Sequence, residues 1–358
     1  MRCVVCVSID LIGWKWAVST QASPCSILWG MPQVTRSDPA FAVQDEEQHR
    51  ATKTIADQYF LVQSDAGEVG VLPCHASLRL DLPGPDFERL LVVVHGALRD
   101  SDRYFEHAWT AAKDDGSSTL VVAPQFLASV DLGPHATAPH NTLYWDVEGW
   151  KGGERALGPV PISSFTAMDC LLRQLTEPGW RRDGKKPTVV IIGNSAGGQY
   201  VNRYAAVGRA PDELAREGIS VRFIIANPST YLYFDRERPV SAPDGTSVNR
   251  WRYGFDFPPD YVDVTAQGSL RRYLERDVTT VLGSEDRDGA SLLLEISAAA
   301  MAQGANRLER GIYYSQHISR LARGAGLAAR HRTIKLPGVG HAAEDVLASP
   351  QTRAVMFG

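Results

Sequence analysis

The sequence predicts an α/β fold: a mostly parallel, doubly wound sheet with helices on both faces and a small cap or lid insertion. Two observations carry that prediction. Short apolar runs of strand length, rich in β-branched residues, alternate with helical stretches from residue 58 onward. That is the pattern of parallel strands buried on both faces. One such run, Val189-Val190-Ile191-Ile192, leads straight into Gly193-Asn194-Ser195-Ala196-Gly197-Gly198, and a helical stretch from Gln199 to Val207 follows at once. Strand, sharp turn and helix with Ser195 at the apex is the layout of a nucleophile elbow. A Cβ at Gly193 or Gly197 would collide with the adjoining strand or helix. With 31 glycines in 358 residues, the bare Gly-x-Ser-x-Gly pattern arises readily by chance, so the flanking strand and helix give it its weight.

Composition narrows the class. The hydrophobic fraction of 44% fits a globular chain with a sizeable core. Net charge is −4 with acids and bases interspersed, which excludes a nucleic-acid footprint or a polybasic membrane face. No run of 18 apolar residues occurs, so no stable membrane insertion is expected. The five cysteines, Cys3, Cys6, Cys25, Cys74 and Cys170, do not make a disulfide framework. Residues 1–57 read as an N-terminal arm, disordered, or as an over-extended start with Met31 the true one. Asp10 and Lys15 interrupt the apolar core that a secretory signal requires. The cytoplasm is therefore the expected compartment; residues 1–22 acting as a signal would make the protein secreted or periplasmic. Residues 58–358 read as the catalytic domain, with long loops at 127–160 and 227–268.

The elements follow in order. Gln58–Val62 and Glu68–Leu72 read as two strands around a turn, with a loop at Pro83–Pro85. Arg89–Val94 reads as a strand, apolar from Leu90 onward, ending at His95-Gly96-Ala97, and Ser101 or Asp102 caps a helix to about Ala112. Leu120–Ala123 is the next strand. Ser163 or Ser164 opens a helix ending near Pro178-Gly179. After the elbow come a strand at Val221–Ala226, a helix over Arg271–Glu275 and a strand at Val278–Leu282. Ser291–Met301 and Asn306–Arg323 read as helices. Arg332–Leu336 is the last strand, and Ala342–Leu347 the closing helix. The two long loops exceed ordinary connections, and the second, rich in Tyr, Trp, Phe and Pro, reads as the cap.

A serine hydroxyl needs a neighbouring base, and the base an orienting acid. The chain supplies them in the order Ser, acid, His, each after a strand, where open α/β sheets gather their reacting groups. Ser195 follows one strand; Glu285, Asp286 and Asp288 follow another; His341 follows the last, inside a Gly-rich turn. Asp286 is the preferred acid, with Asp288 or Glu285 the alternatives and Asp235 an outside candidate. His107, His317 and His331 read as surface or packing residues, and His95 as a buttress of its loop. The backbone N–H groups of Ala196 and Ala97 are the expected oxyanion donors. Tyr104, Trp145, Tyr231 and Trp251 are candidates for a pocket, against the plainer reading that long loops bury their own aromatics. Arg99 could line the site or be a surface charge. No Walker, Rossmann or His-Glu-x-x-His motif occurs, so no cofactor or metal is expected.

These motifs carry a family resemblance. From Leu90 to Phe357 the chain resembles the α/β-hydrolase superfamily, on Val94-His95-Gly96, Gly193-Asn194-Ser195-Ala196-Gly197-Gly198, Gly283-x-x-Asp286 and Gly340-His341. It is also similar to bacterial and fungal α/β-hydrolase-like proteins in His95–Arg99, Ser195–Gln199 and Asn227-Pro228-Ser229. The resemblance implies a serine hydrolase: an esterase, a lipase-like enzyme or an amidase. Ala97-Leu98 departs from the Gly-Gly-Gly oxyanion loop of some lipases and esterases. The expected reaction is cleavage of a small carboxylic ester with an apolar or aromatic portion, through an acyl-enzyme. An amidase, peptidase or carbon–carbon hydrolase would use the same three residues, and a binding protein could share the fold.

Overall fold

The computed structural model describes residues 46–358, except residue 65 and residues 82–85, 117, 136–137, 179–185 and 328–329. The readings made for Cys3, Cys6 and Cys25, the signal segment, Met31 and the Pro83–Pro85 loop lie outside the described residues.

Eight strands form the main sheet: β1 Gln58–Gln63, β2 Val69–Ala76, β3 Arg89–Val94, β4 Thr119–Pro124, β5 Thr188–Asn194, β6 Val221–Ala226, β7 Asp277–Gly283 and β8 His331–Leu336. Their spatial order is β1-β2-β4-β3-β5-β6-β7-β8. Strand β2 runs antiparallel to both β1 and β4, and all other pairings are parallel. Among the described residues the helices of more than one turn are α1 Ser101–Asp115, α2 Ser164–Thr176, α3 Ala196–Val207, α4 Ala210–Arg216, α5 Ala266–Glu275, α6 Arg307–Gly324, α7 Ala343–Ala348 and α8 Pro350–Phe357.

The apolar runs are continuous because alternate residues feed two cores. On β3, Leu90, Val92 and Val94 join the core under α2 and α3, while Leu91 and Val93 join the one under α1, α7 and α8. On β5, Val189 and Ile191 face the first core, Val190 and Ile192 the second.

Three local differences from expectation have physical causes. Helix formation over Ser291–Met301 shrinks to one turn, Ala298–Met301, where the Ser297 hydroxyl caps the Ala300 N–H. Helix α4, not expected, starts with Pro211 in its first turn, where a missing N–H costs nothing. Helix α8 follows α7 after the Ser349 hydroxyl accepts from the Thr352 N–H, so α7 does not close the chain.

The long loops depart further from expectation. Residues 227–268 contain no helix before α5 begins and fold down onto α3 and α6. The Leu232 N–H donates to Asn202 of α3 (2.8 Å), and Tyr231 stacks on Tyr314 of α6 (4.3 Å). The first long loop carries a short parallel pair, Leu127–Ala128 with Tyr144–Trp145, and a 3-10 turn at Gly149–Gly152. Residues 48–56, expected to belong to a free arm, are hydrogen-bonded to the body of the domain through Arg99, Gln125 and Asp131. Among the described residues no helix is long and apolar enough to cross a membrane.

Candidate active site

Parallel pairing brings five strand ends to one edge of the sheet. Val94 pairs with Gly193, Asn194 with Ala226, Ala226 with Val281, and Gly283 with Leu336. The segments leaving those ends carry His95, Ser195, Asn227, Asp286 and His341.

Ser195 sits between β5 and α3 with φ 60° and ψ −119°, a conformation rarely taken by a residue with a Cβ. Its surroundings enforce it. A Cβ on Gly193 would overlap the Gly197 carbonyl, and one on Gly197 would overlap the carbonyl oxygens of Val94 and His95. The Ser195 N–H donates to Ala226 O (3.0 Å), and Ser195 O accepts from the Gln199 N–H (3.0 Å). The N–H of Ala196 belongs to the same peptide unit as that carbonyl. It points the opposite way, out of the α3 N-terminus.

His341 Nδ1 lies 2.7 Å from Asp286 Oδ2. The Asp286 side chain is 3% exposed and that of His341 31%, so the pair is anchored inside and open on the histidine's far side. Glu285 and Asp288 are exposed; Glu285 accepts from the Ser284 hydroxyl and Asp288 from the Ala290 N–H. Asp235 pairs instead with His317 and Arg320, away from His341. Asp235, Glu237 and His317 could reach a common metal ion. However, Arg320 already lies 3.0 Å from His317 Nδ1 and is ion-paired with Glu237.

Ser195 and His341 line one cleft of about 280 Å³, together with Gly96, Ala97, Leu98, Tyr104, Asn194 and Leu293. Asp100, Arg103, His107 and Glu344 form its polar part, with Arg103 3.0 Å from Glu344 and His107 3.7 Å from it. Burial pushes the Asp100 carboxyl up. His107 is thus a cleft residue and not merely a surface or packing one. A larger groove, of about 640 Å³, lies among Asp212, Arg271, Arg272 and Arg276. It takes in Val221 and Asp277, the opposite ends of β6 and β7 from the serine.

Of the four aromatic pocket candidates, only Tyr104 reaches this cleft. Its hydroxyl is hydrogen-bonded to Asn194 and sits close above Gly96. Trp145 is fully buried, donates Nε1–H to Ile162 O (3.2 Å) and packs edge-on to Phe126. Tyr231 is fully buried against Tyr314. Trp251 donates Nε1–H to Gly152 O (2.8 Å). These three are corrected to packing residues. Long excursions pay for chain ordering by burying their own rings. The 227–268 segment contributes no residue lining the cleft, so it is a packed cover of α3 and not a lid over the serine.

The loop after β3 is held from inside. The Phe126 N–H donates to His95 Nε2 (2.9 Å), which makes Nε2 the acceptor nitrogen and leaves Nδ1–H to donate to Gly96 O (2.8 Å). Burial pushes the His95 imidazole down to about 4. Arg99, far from being a surface charge, is fully buried at φ 58° and makes a two-point pair with Asp131 (2.6 and 3.2 Å).

Three residues of the site carried no reading of their own in the sequence. Asn194 Nδ2–H donates to His341 O (3.0 Å), and its Oδ1 accepts from Asn227 Nδ2–H (3.3 Å). Asn227, at φ 42°, accepts from the Gly283 N–H (2.8 Å). The two asparagines thus tie the serine, acid and histidine segments to one another. Their position directly at strand ends was the available signal. Arg307, fully buried, lies 3.6 Å from Asp286 Oδ1 as a counter-charge, and burial pushes its guanidinium down. No local pattern marks it in the sequence.

No family model and no curated protein matches the chain. Solved structures do. One is poly(aspartic acid) hydrolase-1 from Sphingomonas sp. KT-1, 23% identical, with a TM-score of 0.59 over 85% of this chain and 100% of that one. Another is LpqC, a poly(3-hydroxybutyrate) depolymerase from Bordetella parapertussis, 20% identical, with a TM-score of 0.56 over 88% of this chain and 98% of that one. The mostly parallel central sheet with its helices agrees with these likenesses: the chain has the α/β-hydrolase fold.

Proposed function

We propose that the protein is a serine hydrolase that cleaves a carboxylic ester, with Ser195 as nucleophile, His341 as base and Asp286 as orienting acid. One observation carries the reading: a serine at φ 60° opens onto the same cleft as a histidine whose other nitrogen is 2.7 Å from a buried carboxylate. His341 takes the Ser195 proton as Oγ attacks the ester carbonyl. Asp286 holds the ring in the needed tautomer and stabilises the imidazolium. The N–H groups of Ala196 and Ala97 receive the oxyanion. The imidazolium returns its proton to the leaving alcohol; water then attacks the acyl-enzyme with His341 again as base, the acyl–Oγ bond breaks to release the carboxylic acid, and His341 gives the proton back to Ser195 Oγ. Ala97, Leu98, Leu293, Ala342 and Ala343 give the cleft small apolar walls, which suit a short acyl group.

The test is labelling with a fluorophosphonate, then a panel of p-nitrophenyl esters of short and long acyl chains beside the matching anilides. The expected outcome is labelling of the wild type, turnover strongest on short esters, and a loss of roughly 10^6-fold in Ser195→Ala. A wild type that neither labels nor hydrolyses any ester overturns the function. Full activity in Ser195→Ala overturns the site. Faster cleavage of anilides than of esters makes the enzyme an amidase.

A further inference from the structure

We propose that Arg99, together with the N-terminal segment Gln48–Ala56 that it holds, is the device that positions the Ala97 N–H for catalysis. The inference rests on the serine-hydrolase reading and extends it to residues outside the domain expected from sequence.

The argument begins with peptide geometry. In a trans peptide unit the C=O and N–H point in opposite directions. Gly96 O accepts from His95 Nδ1–H (2.8 Å) and from the Arg99 N–H (3.2 Å). The Ala97 N–H belongs to that unit and so points away from both donors. The next unit is held as well, because Ala97 O accepts from Arg99 Nη1–H (2.8 Å). Ala97 therefore stands between two fixed peptide planes, and its N–H direction is set by them. Arg99 contributes to both, once by its backbone and once by its guanidinium, and its φ of 58° closes the turn that lets it do so.

The guanidinium is in turn fixed by what surrounds it. Asp131 takes Nε–H and Nη2–H, and also accepts the N–H groups of Ala128 and Thr52 (2.7 Å each). Nη1–H donates to Gln48 O (3.0 Å) and Nη2–H to Arg50 O (2.6 Å). Gln125 Nε2–H donates to Arg99 O (2.8 Å) and Thr54 O (2.9 Å), while its Oε1 accepts from the Ala56 N–H (2.9 Å). Thr52 Oγ1–H reaches Arg99 O (3.3 Å). A charge buried this completely is kept only where its partners are complete, and three of the residues hydrogen-bonded to Arg99 are Gln48, Arg50 and Thr52. A lysine would keep the charge but could not serve these carbonyls and both oxygens of Asp131 at once.

Two variants test it, Arg99→Lys and the isosteric Thr52→Val, which perturbs the segment without touching the cleft. Each is assayed for kcat and KM per folded molecule on a short p-nitrophenyl ester. Each is also assayed for inhibition by a trifluoromethyl ketone, whose adduct carries the oxyanion, and for unfolding temperature. Removing one oxyanion donor outright costs roughly 10^2–10^3 in kcat. Misaligning one is expected to cost about 10–100-fold in Arg99→Lys and about three-fold in Thr52→Val. KM should stay within about three-fold, and ketone affinity should fall by the same factor as kcat/KM. A packing role alone would lower the unfolding temperature while folded molecules kept their kcat. That result, or ketone affinity unchanged while kcat/KM falls, overturns the proposal. If Arg99→Lys does not fold, Thr52→Val decides alone: full kcat there overturns the positioning role. A wild type without ester turnover overturns the hydrolase reading, and this inference with it.

Discussion

Asp286 and Asp288 stand two residues apart on one turn and meet opposite surroundings. The first is buried between His341 and Arg307; the second is exposed and caps the Ala290 N–H. Chain order and strand ends made the serine, the histidine and a short list of acids legible. Asp286 was the preferred one by its distance past the strand, and the structure aims it inward against His341. Under the proposed mechanism Asp286→Asn leaves His341 in the wrong tautomer and lowers kcat by roughly 10^4-fold. Asp288→Asn should leave kcat within about two-fold. Steady-state turnover of a p-nitrophenyl ester at pH 7.5 by both variants checks this, and near-normal turnover in Asp286→Asn sinks the assignment. The aromatic residues were the illegible part. A ring in a long loop looks the same in sequence whether it lines a cleft or fills a core, and Trp145, Tyr231 and Trp251 fill cores.

At the scale of elements, the elbow is a three-way crossing of β5, α3 and the loop after β3, and glycine is needed where backbones touch. The sequence already implied crowding at Gly193 and Gly197, since strand, Gly-x-Ser-x-Gly and helix follow one another without a spacer. The strands were legible for a related reason: an apolar run of four or five residues, rich in β-branched side chains, with cores on both faces has few other uses. The excursion at 227–268, read as a cap or lid, is held on α3 and near α6 by anchors, Asn202 and Gln303, that lie far away in the sequence. Gly197→Ala places a methyl against the carbonyl oxygens of Val94 and His95, which cannot move without displacing β3. The expected cost is about 3 kcal/mol or more, at the upper end for overpacking. Gly324→Ala, where a Cβ meets nothing within 4 Å on α6, should be neutral or stabilising by about 0.5–1 kcal/mol. Urea denaturation midpoints of the two variants test the contrast. Equal midpoints would mean that the elbow is looser than its contacts imply.

Four histidines, His95 and His317 buried and His75 and His331 half-buried, are pushed down by desolvation, and this shapes how the stability of the whole molecule responds to acid. Burial pushes His95 down to about 4, and lowers His75, His317 and His331 as well. An unfolded histidine takes its proton near pH 6.5, whereas these folded ones do so only further down. Between those values the unfolded chain binds more protons, so the stability of the fold falls as pH falls. For His95 this contribution is present above pH 6.5 and is lost progressively as the pH falls towards 4. Asp100 and Asp169, raised by burial, act in the opposite sense, because their folded carboxyls take a proton before the unfolded ones do. Their effect belongs nearer the carboxylate range, so the histidines dominate the upper part of the window. Moving from pH 7 to pH 5 should lower the unfolding temperature by an amount on the order of 5 °C. A calorimetric melt at half-unit pH steps measures it. An unfolding temperature that stays level, or rises, between pH 6.5 and 5 would mean that these histidines are charged in the folded protein. His95 Nε2 could not then accept from the Phe126 N–H, and the loop carrying Ala97 would lack its inner support.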